Sequence, residues 1–104
     1  MIMRIKLMTD YYYYPLWNMD DPDNIDPHEL PLKEETIKRL LQWSEVYNQI
    51  LNIDDPVSSD FASEKEAEEF ERGGFRLWGQ LQKELEPDYE VFYFSEQQGK
   101  VLSP

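Results

Sequence analysis

Carboxylates crowd the run Asp20-Asp21-Pro22-Asp23-Asn24-Ile25-Asp26, and oxygen ligands at that density suit a hard cation such as calcium. The spacing does not make an EF-hand. The glycine of the sharp turn is missing, and no glutamate closes a loop opened by Asp21, where Pro31 and Lys33 fall instead. A solvated acidic loop is the better description. His28, the one histidine, stands beside Glu29 in the same stretch, and with Asp54, Asp55 and Asp60 it supplies the groups for an alternative reading as a small carboxylate-based metal-binding or hydrolytic protein. No Gly-x-Ser-x-Gly elbow accompanies it, and no glycine loop could cradle phosphate, since Gly79 and Gly99 are isolated and Gly73-Gly74 falls within a helical pattern. No enzymatic activity, catalytic residue, metal or cofactor is expected.

The second chemistry on offer is recognition. Tyr11-Tyr12-Tyr13-Tyr14-Pro15-Leu16-Trp17 is too aromatic for an ordinary loop, and Tyr and Trp dominate protein interfaces because each joins a large rigid surface to a polar tip. Tyrosines that follow a strand also serve as lids over a core, and along an extended segment alternate rings would face inward and outward. Tyr11, Tyr12, Tyr13, Tyr14 and Trp17 are therefore read as an apolar anchor, with Asp20, Asp21, Asp23 and Asp26 as a rim that steers a basic protein partner. Self-association into a homodimer through the same patch is the competing partner reading.

Charge sets the limits on partners. The 104 residues hold 22 Asp and Glu against 10 Lys and Arg, for a net charge of -12. The acidity is segregated: residues 10–35 carry eight acids against Lys33, and residues 54–71 carry eight against Lys65. Residues 72–83 hold Arg72, Arg76 and Lys83 with no acid. Such a field repels phosphate backbones and acidic membrane surfaces, so neither nucleic acid nor membrane is expected as a partner. No apolar run is long enough to span a bilayer, the start Met-Ile-Met-Arg-Ile-Lys lacks a secretory core, and cysteine is absent, so a cytoplasmic location is expected.

These residues need a scaffold. Leu, Ile, Val and Phe make up 26 of the 104 residues, enough to fold despite the charge, and the length suits one domain over 1–104. Residues 1–8 alternate as a strand, with Ile5 and Leu7 on one face and Arg4 and Lys6 on the other. Residues 18–31, with three prolines, read as an irregular connection. Apolar residues at three- and four-residue spacing predict a helix near 33–52, with Ile37, Leu40, Trp43, Val46 and Tyr47 in its stripe and Lys33 as a poor N-cap. The capping box Ser63-Glu64-Lys65-Glu66 opens a second helix near 63–86, whose inner face is Ala67, Phe70, Gly74, Leu77, Trp78, Leu81 and Leu85. Glu68 and Arg72 are spaced for an ion pair along it. Gly73 and Gly74 would weaken that helix unless a close neighbour or a kink required them. Residues 88–95 alternate as the most buried strand, Gly99 supplies a turn, and 100–102 return as a short edge strand. The expected fold is α+β: a small antiparallel sheet with the two helices packed on one face.

With those elements placed, Asp54 to Phe61, Phe70, Gly74 to Trp78, Tyr89 to Ser95 and Pro15-Leu16-Trp17 together resemble a family of small uncharacterised acidic bacterial proteins. The resemblance covers most of the chain and implies a bacterial origin, but its motifs describe packing and turns and carry no catalytic residue. In size and charge the chain is also similar to immunity factors that neutralise basic nuclease toxins, an analogy of composition only. The sequence thus points to a non-enzymatic acidic interaction module of immunity or inhibitor type.

Overall fold

The computed structural model describes residues 3–10, 12–20, 23–49 and 64–104. The first strand, β1 (Met3–Leu7), lies at the centre of the sheet because its alternation serves two neighbours: Ile5 and Leu7 are sealed on one side, while Lys6 is half-buried on the other. On one edge it pairs antiparallel with β2 (Leu16–Asn18), which pairs in turn with β3 (Asp23–Ile25). On the other edge it pairs with β4 (Tyr89–Ser95), placing Ile5 beside Val91 and Leu7 beside Tyr93. The last strand, β5 (Lys100–Leu102), hangs on β4 after a turn in which Gly99 takes φ +64°. The sheet order is β3-β2-β1-β4-β5.

The α+β class holds, but the sheet is mixed and not antiparallel, because β1 and β4 run parallel. Alternation with period two reads the same in either chain direction, so it is silent on strand polarity. Polarity comes from the crossover: two helices lie between β1 and β4, and that is the kind of connection a parallel pair requires.

The stretch expected to be irregular also carries structure. Leu16–Asn18 and Asp23–Ile25 pair as the antiparallel strands β2 and β3, and Pro27–Glu29 form one turn of 3₁₀ helix. Asp26 caps that turn by accepting the His28 N–H at 3.0 Å, and Pro27 occupies its first position, where its missing N–H is harmless. Strands of three residues are too short for periodicity to reveal.

Helix α1 (Glu34–Gln49) buries Thr36, Ile37, Leu40, Trp43 and Ser44, and leaves Val46 exposed, outside its expected place in the stripe. Its weak start at Lys33 is repaired from a distance. Glu84 accepts the Lys33 N–H at 2.8 Å and the Thr36 hydroxyl, so a carboxylate from the second helix caps the first. Burial would raise Glu84, but these bonds and one from Gln80 outweigh it and hold the carboxyl below its ordinary range.

Helix α2 (Glu64–Leu85) buries Phe70, Glu71, Gly74, Leu77, Leu81 and Leu85. The capping-box Ser63 and the expected end of the first helix at 50–52 lie outside the described residues. Among the described residues the ion pairs of Lys and Arg are Arg4–Asp20 and Arg39–Glu35, so the expected Glu68–Arg72 pair is not made. The glycines at 73 and 74 mark a close approach and not a break. A Cβ on Gly74 would overlap the Tyr93 hydroxyl and stand 2.9 Å from Trp43 Cζ2. Trp43 stacks on Phe70 at 4.6 Å between centroids and donates its indole N–H to the Phe70 carbonyl at 2.9 Å. Both helices thereby meet the β1–β4 face through Trp43, Gly74 and Tyr93. Among the described residues no helix is long and apolar enough to cross a membrane.

Candidate functional site

Tyr12, Tyr13 and Tyr14 lie in an arch between β1 and β2. Its base is fixed by Pro15 and Leu16, both buried, by the Met8 N–H on the Pro15 carbonyl at 2.9 Å, and by the Trp17 indole on the Met8 carbonyl at 2.9 Å. Above that base the backbone is held by a turn and by two side chains from other elements. The Tyr12 N–H is accepted by Asn48 of α1 at 2.8 Å, and the Tyr13 N–H by the Asp10 carbonyl at 3.3 Å. Asn24 of β3 grips the other leg. Its Oδ1 accepts the Tyr14 N–H at 2.9 Å, while its Nδ2 donates to the Tyr14 and Leu16 carbonyls at 2.7 and 3.2 Å.

With the backbone held in this way, the rings face out. Tyr12, Tyr13 and Tyr14 are 72, 54 and 40% exposed, and Tyr13 leans on the half-buried Trp17 at 5.4 Å between centroids. The segment is a turn and not the extended strand that would send alternate rings inward. Tyr12 sits at φ +64°, a left-handed conformation that costs a bulky side chain about 1–3 kcal/mol and persists only where surrounding contacts enforce it. Tyr11 lies outside the described residues.

The acidic rim is less uniform than its sequence. Asp20 is paired with Arg4, whose hydrogen bond holds the carboxyl below the ordinary aspartate range. Asp26 is also held low, first by the His28 N–H, then by the His28 ring at 2.8 Å and the Tyr14 hydroxyl. That last contact joins rim to arch. Asp23 is exposed and makes no ion pair among the described residues, and Asp21 lies outside them.

One acid that sequence spacing did not single out, Glu96, stands near Asp10 at the foot of the arch. Burial pushes Glu96 up, and the nearby carboxylates Glu71 and Asp10 push it further, against a hydrogen bond from Tyr47. Residues 10, 47 and 96 share no local signal and meet only because β1, α1 and β4 end together.

Glu71 was missed for the same reason. Only 6% exposed, it accepts the Tyr93 hydroxyl at 2.6 Å, the Ser95 hydroxyl at 2.7 Å and the Gln97 N–H at 3.2 Å. Burial, and then the Glu71 carboxylate, push the Tyr93 hydroxyl far above its ordinary range, so it stays a donor. This network fastens α2 to β4, and its oxygens are occupied by the protein's own donors. His28 is exposed and engaged with Asp26, while Asp54, Asp55 and Asp60, its suggested companions, lie outside the described residues. Among the described residues no three His, Cys, Asp or Glu side chains come together as a metal site.

The family described as Serratia CdiI immunity protein-like matches residues 3–96, and the chain belongs to it. That is a more definite family than the resemblance noted in the sequence. No curated protein matches the chain.

Proposed function

Taking membership of an immunity-protein family as its premise, we propose that this protein binds and neutralises a basic protein toxin, with the tyrosine arch as its docking face. Tyr12, Tyr13 and Tyr14, with Tyr11 and Trp17, are the anchors, and Asp20, Asp21, Asp23 and Asp26 steer the partner. The observation that carries the reading is three adjacent tyrosine rings turned to solvent on a backbone tied to α1 and β3 by Asn48 and Asn24. Ordering a loop costs affinity on binding, and an arch whose backbone is already pinned has met that cost in advance. The net charge of -12 supports a basic partner by raising the encounter rate.

Affinity capture with the parent chain and with a Tyr12→Ala, Tyr13→Ala, Tyr14→Ala triple variant tests this. The parent should retain a basic protein whose toxicity is lost on binding, and the triple variant should not. Equal capture by both would remove the arch from the interface. Among the acids, Asp23→Lys should slow association at low salt, and the difference from the parent should shrink as salt is added.

A further inference from the structure

We propose that the groove between α1 and α2 is a second docking surface, built to take an acidic peptide segment of a protein partner. Arg39 and Gln42 on α1 face Arg76 and Gln80 on α2 across a floor of Trp43 and Gly73, around a space of about 490 Å³. No acid lines this groove. Gln80 already donates to Glu84 at the rim, at 2.6 Å, so the donors turned to the groove are the two guanidinium forks and Gln42, and a guanidinium can hold a carboxylate through two parallel hydrogen bonds.

The charge pattern supports the assignment independently of the cavity. On a chain with 22 acids to 10 basic residues an arginine should find a partner easily, yet neither Arg72 nor Arg76 makes an ion pair among the described residues. They belong to the acid-free stretch 72–83, which keeps a positive strip on a strongly negative molecule. Arg39 does hold Glu35, at 2.8 Å, but that pair is exposed and i,i+4, a contact weak enough for a bidentate ligand to displace. Gly73 keeps the floor low: a Cβ there would already stand 3.2 Å from Trp43 Cδ1.

A nucleic acid is disfavoured as occupant by the overall charge, and a second copy by the mutual repulsion of two such chains. A partner segment rich in Asp or Glu, carried on a protein that is not acidic overall, meets neither objection. The surface is separate from the arch. Ser44 and Asn48, one helical turn apart, serve Tyr13 and Tyr12, whereas Arg39 and Gln42 point from another flank of α1.

The test titrates the intact chain with an oligoglutamate peptide, following the Trp43 indole and Gly73 amide signals by NMR. Saturable shifts of both are expected, weakening with salt, with affinity falling about tenfold or more in Arg39→Glu plus Arg76→Glu while the thermal midpoint holds. Tyr13→Ala should bind the peptide as the parent does, so failure of the arch reading and failure of this one are distinguishable. No saturable shift at Trp43 and Gly73, or undiminished affinity in the double variant, would overturn the proposal. So would inorganic phosphate or oligothymidylate binding as tightly as the peptide. A dimer in sedimentation that disappears on Arg76→Glu would give the groove to a second copy and also overturn it.

Discussion

The aromatic residues of this protein are used in two opposite ways, at the Tyr12–Trp17 arch and at the Trp43–Phe70–Tyr93 cluster around Gly74. In the cluster the rings are sealed, a glycine makes room for them, and their polar tips are satisfied inside by the Phe70 carbonyl and by Glu71. In the arch the backbone is held by Asn24 and Asn48, the Tyr12 and Tyr13 rings are left to water, and only the Tyr14 hydroxyl and the Trp17 indole find protein partners, in Asp26 and the Met8 carbonyl. Composition alone would class both as core. Packing separates the aromatic wedge from the aromatic docking face: the wedge rings close around a glycine, and the arch rings stand on a turn held by two asparagines from other elements.

The contrast can be broken most strongly at Gly74. Gly74→Ala would gain about 1 kcal/mol of helix propensity, yet its methyl must displace Tyr93 and Trp43, so a net loss of about 3 kcal/mol is expected in urea unfolding. A neutral result would mean that the cluster is loosely packed. Glu71→Ala leaves the Tyr93 and Ser95 hydroxyls and the Gln97 N–H without their acceptor, and should destabilise by about 2–3 kcal/mol, with Glu71→Gln recovering part of it by the same measurement.

In the arch the sign should reverse. Tyr12→Gly relieves the left-handed strain and should leave stability unchanged or raise it by about 0.5–1 kcal/mol in thermal unfolding, while weakening partner binding. A clear loss of stability would show the ring to be a structural lid. The smallest effect belongs to Glu96, between the two regions. Its folded pKa is raised, so its contribution to stability is full below the unfolded value and lost as pH rises through the folded one. Glu96→Gln should therefore stabilise the protein near neutral pH by about 0.3 kcal/mol, a value reduced by solvent screening. The gain should vanish in acid below the ordinary glutamate range, as a series of urea midpoints against pH would show.

Local pattern carried much of this architecture. The alternation of Ile5 and Leu7, the helical spacing from Ile37 and from Phe70, the alternation through Tyr93 and the turn at Gly99 each report which side of an element faces the core. That information is written at periods of two and about 3.6 residues. The β2–β3 pair escaped because three-residue strands complete barely one such period. Glu84 as the cap of α1 escaped because the capping group is about fifty residues away from the amides it serves. The candidate face was legible as residue types, tyrosines beside aspartates, and illegible as geometry, because the turn at Tyr12 is enforced by Asn24 and Asn48 from other elements.

By itself the sequence determined the composition of the surface and the core-facing side of each long element, since charge and hydrophobic periodicity are properties of neighbours along the chain. Tertiary structure alone decided strand direction, the burial of Glu71 among three donors, the outward turn of the tyrosine rings, and the juxtaposition of Arg39 with Arg76. Each of these depends on groups brought together by the crossover between β1 and β4 and by the packing of its helices, and through-space interactions of that kind leave no periodic trace in the order of residues.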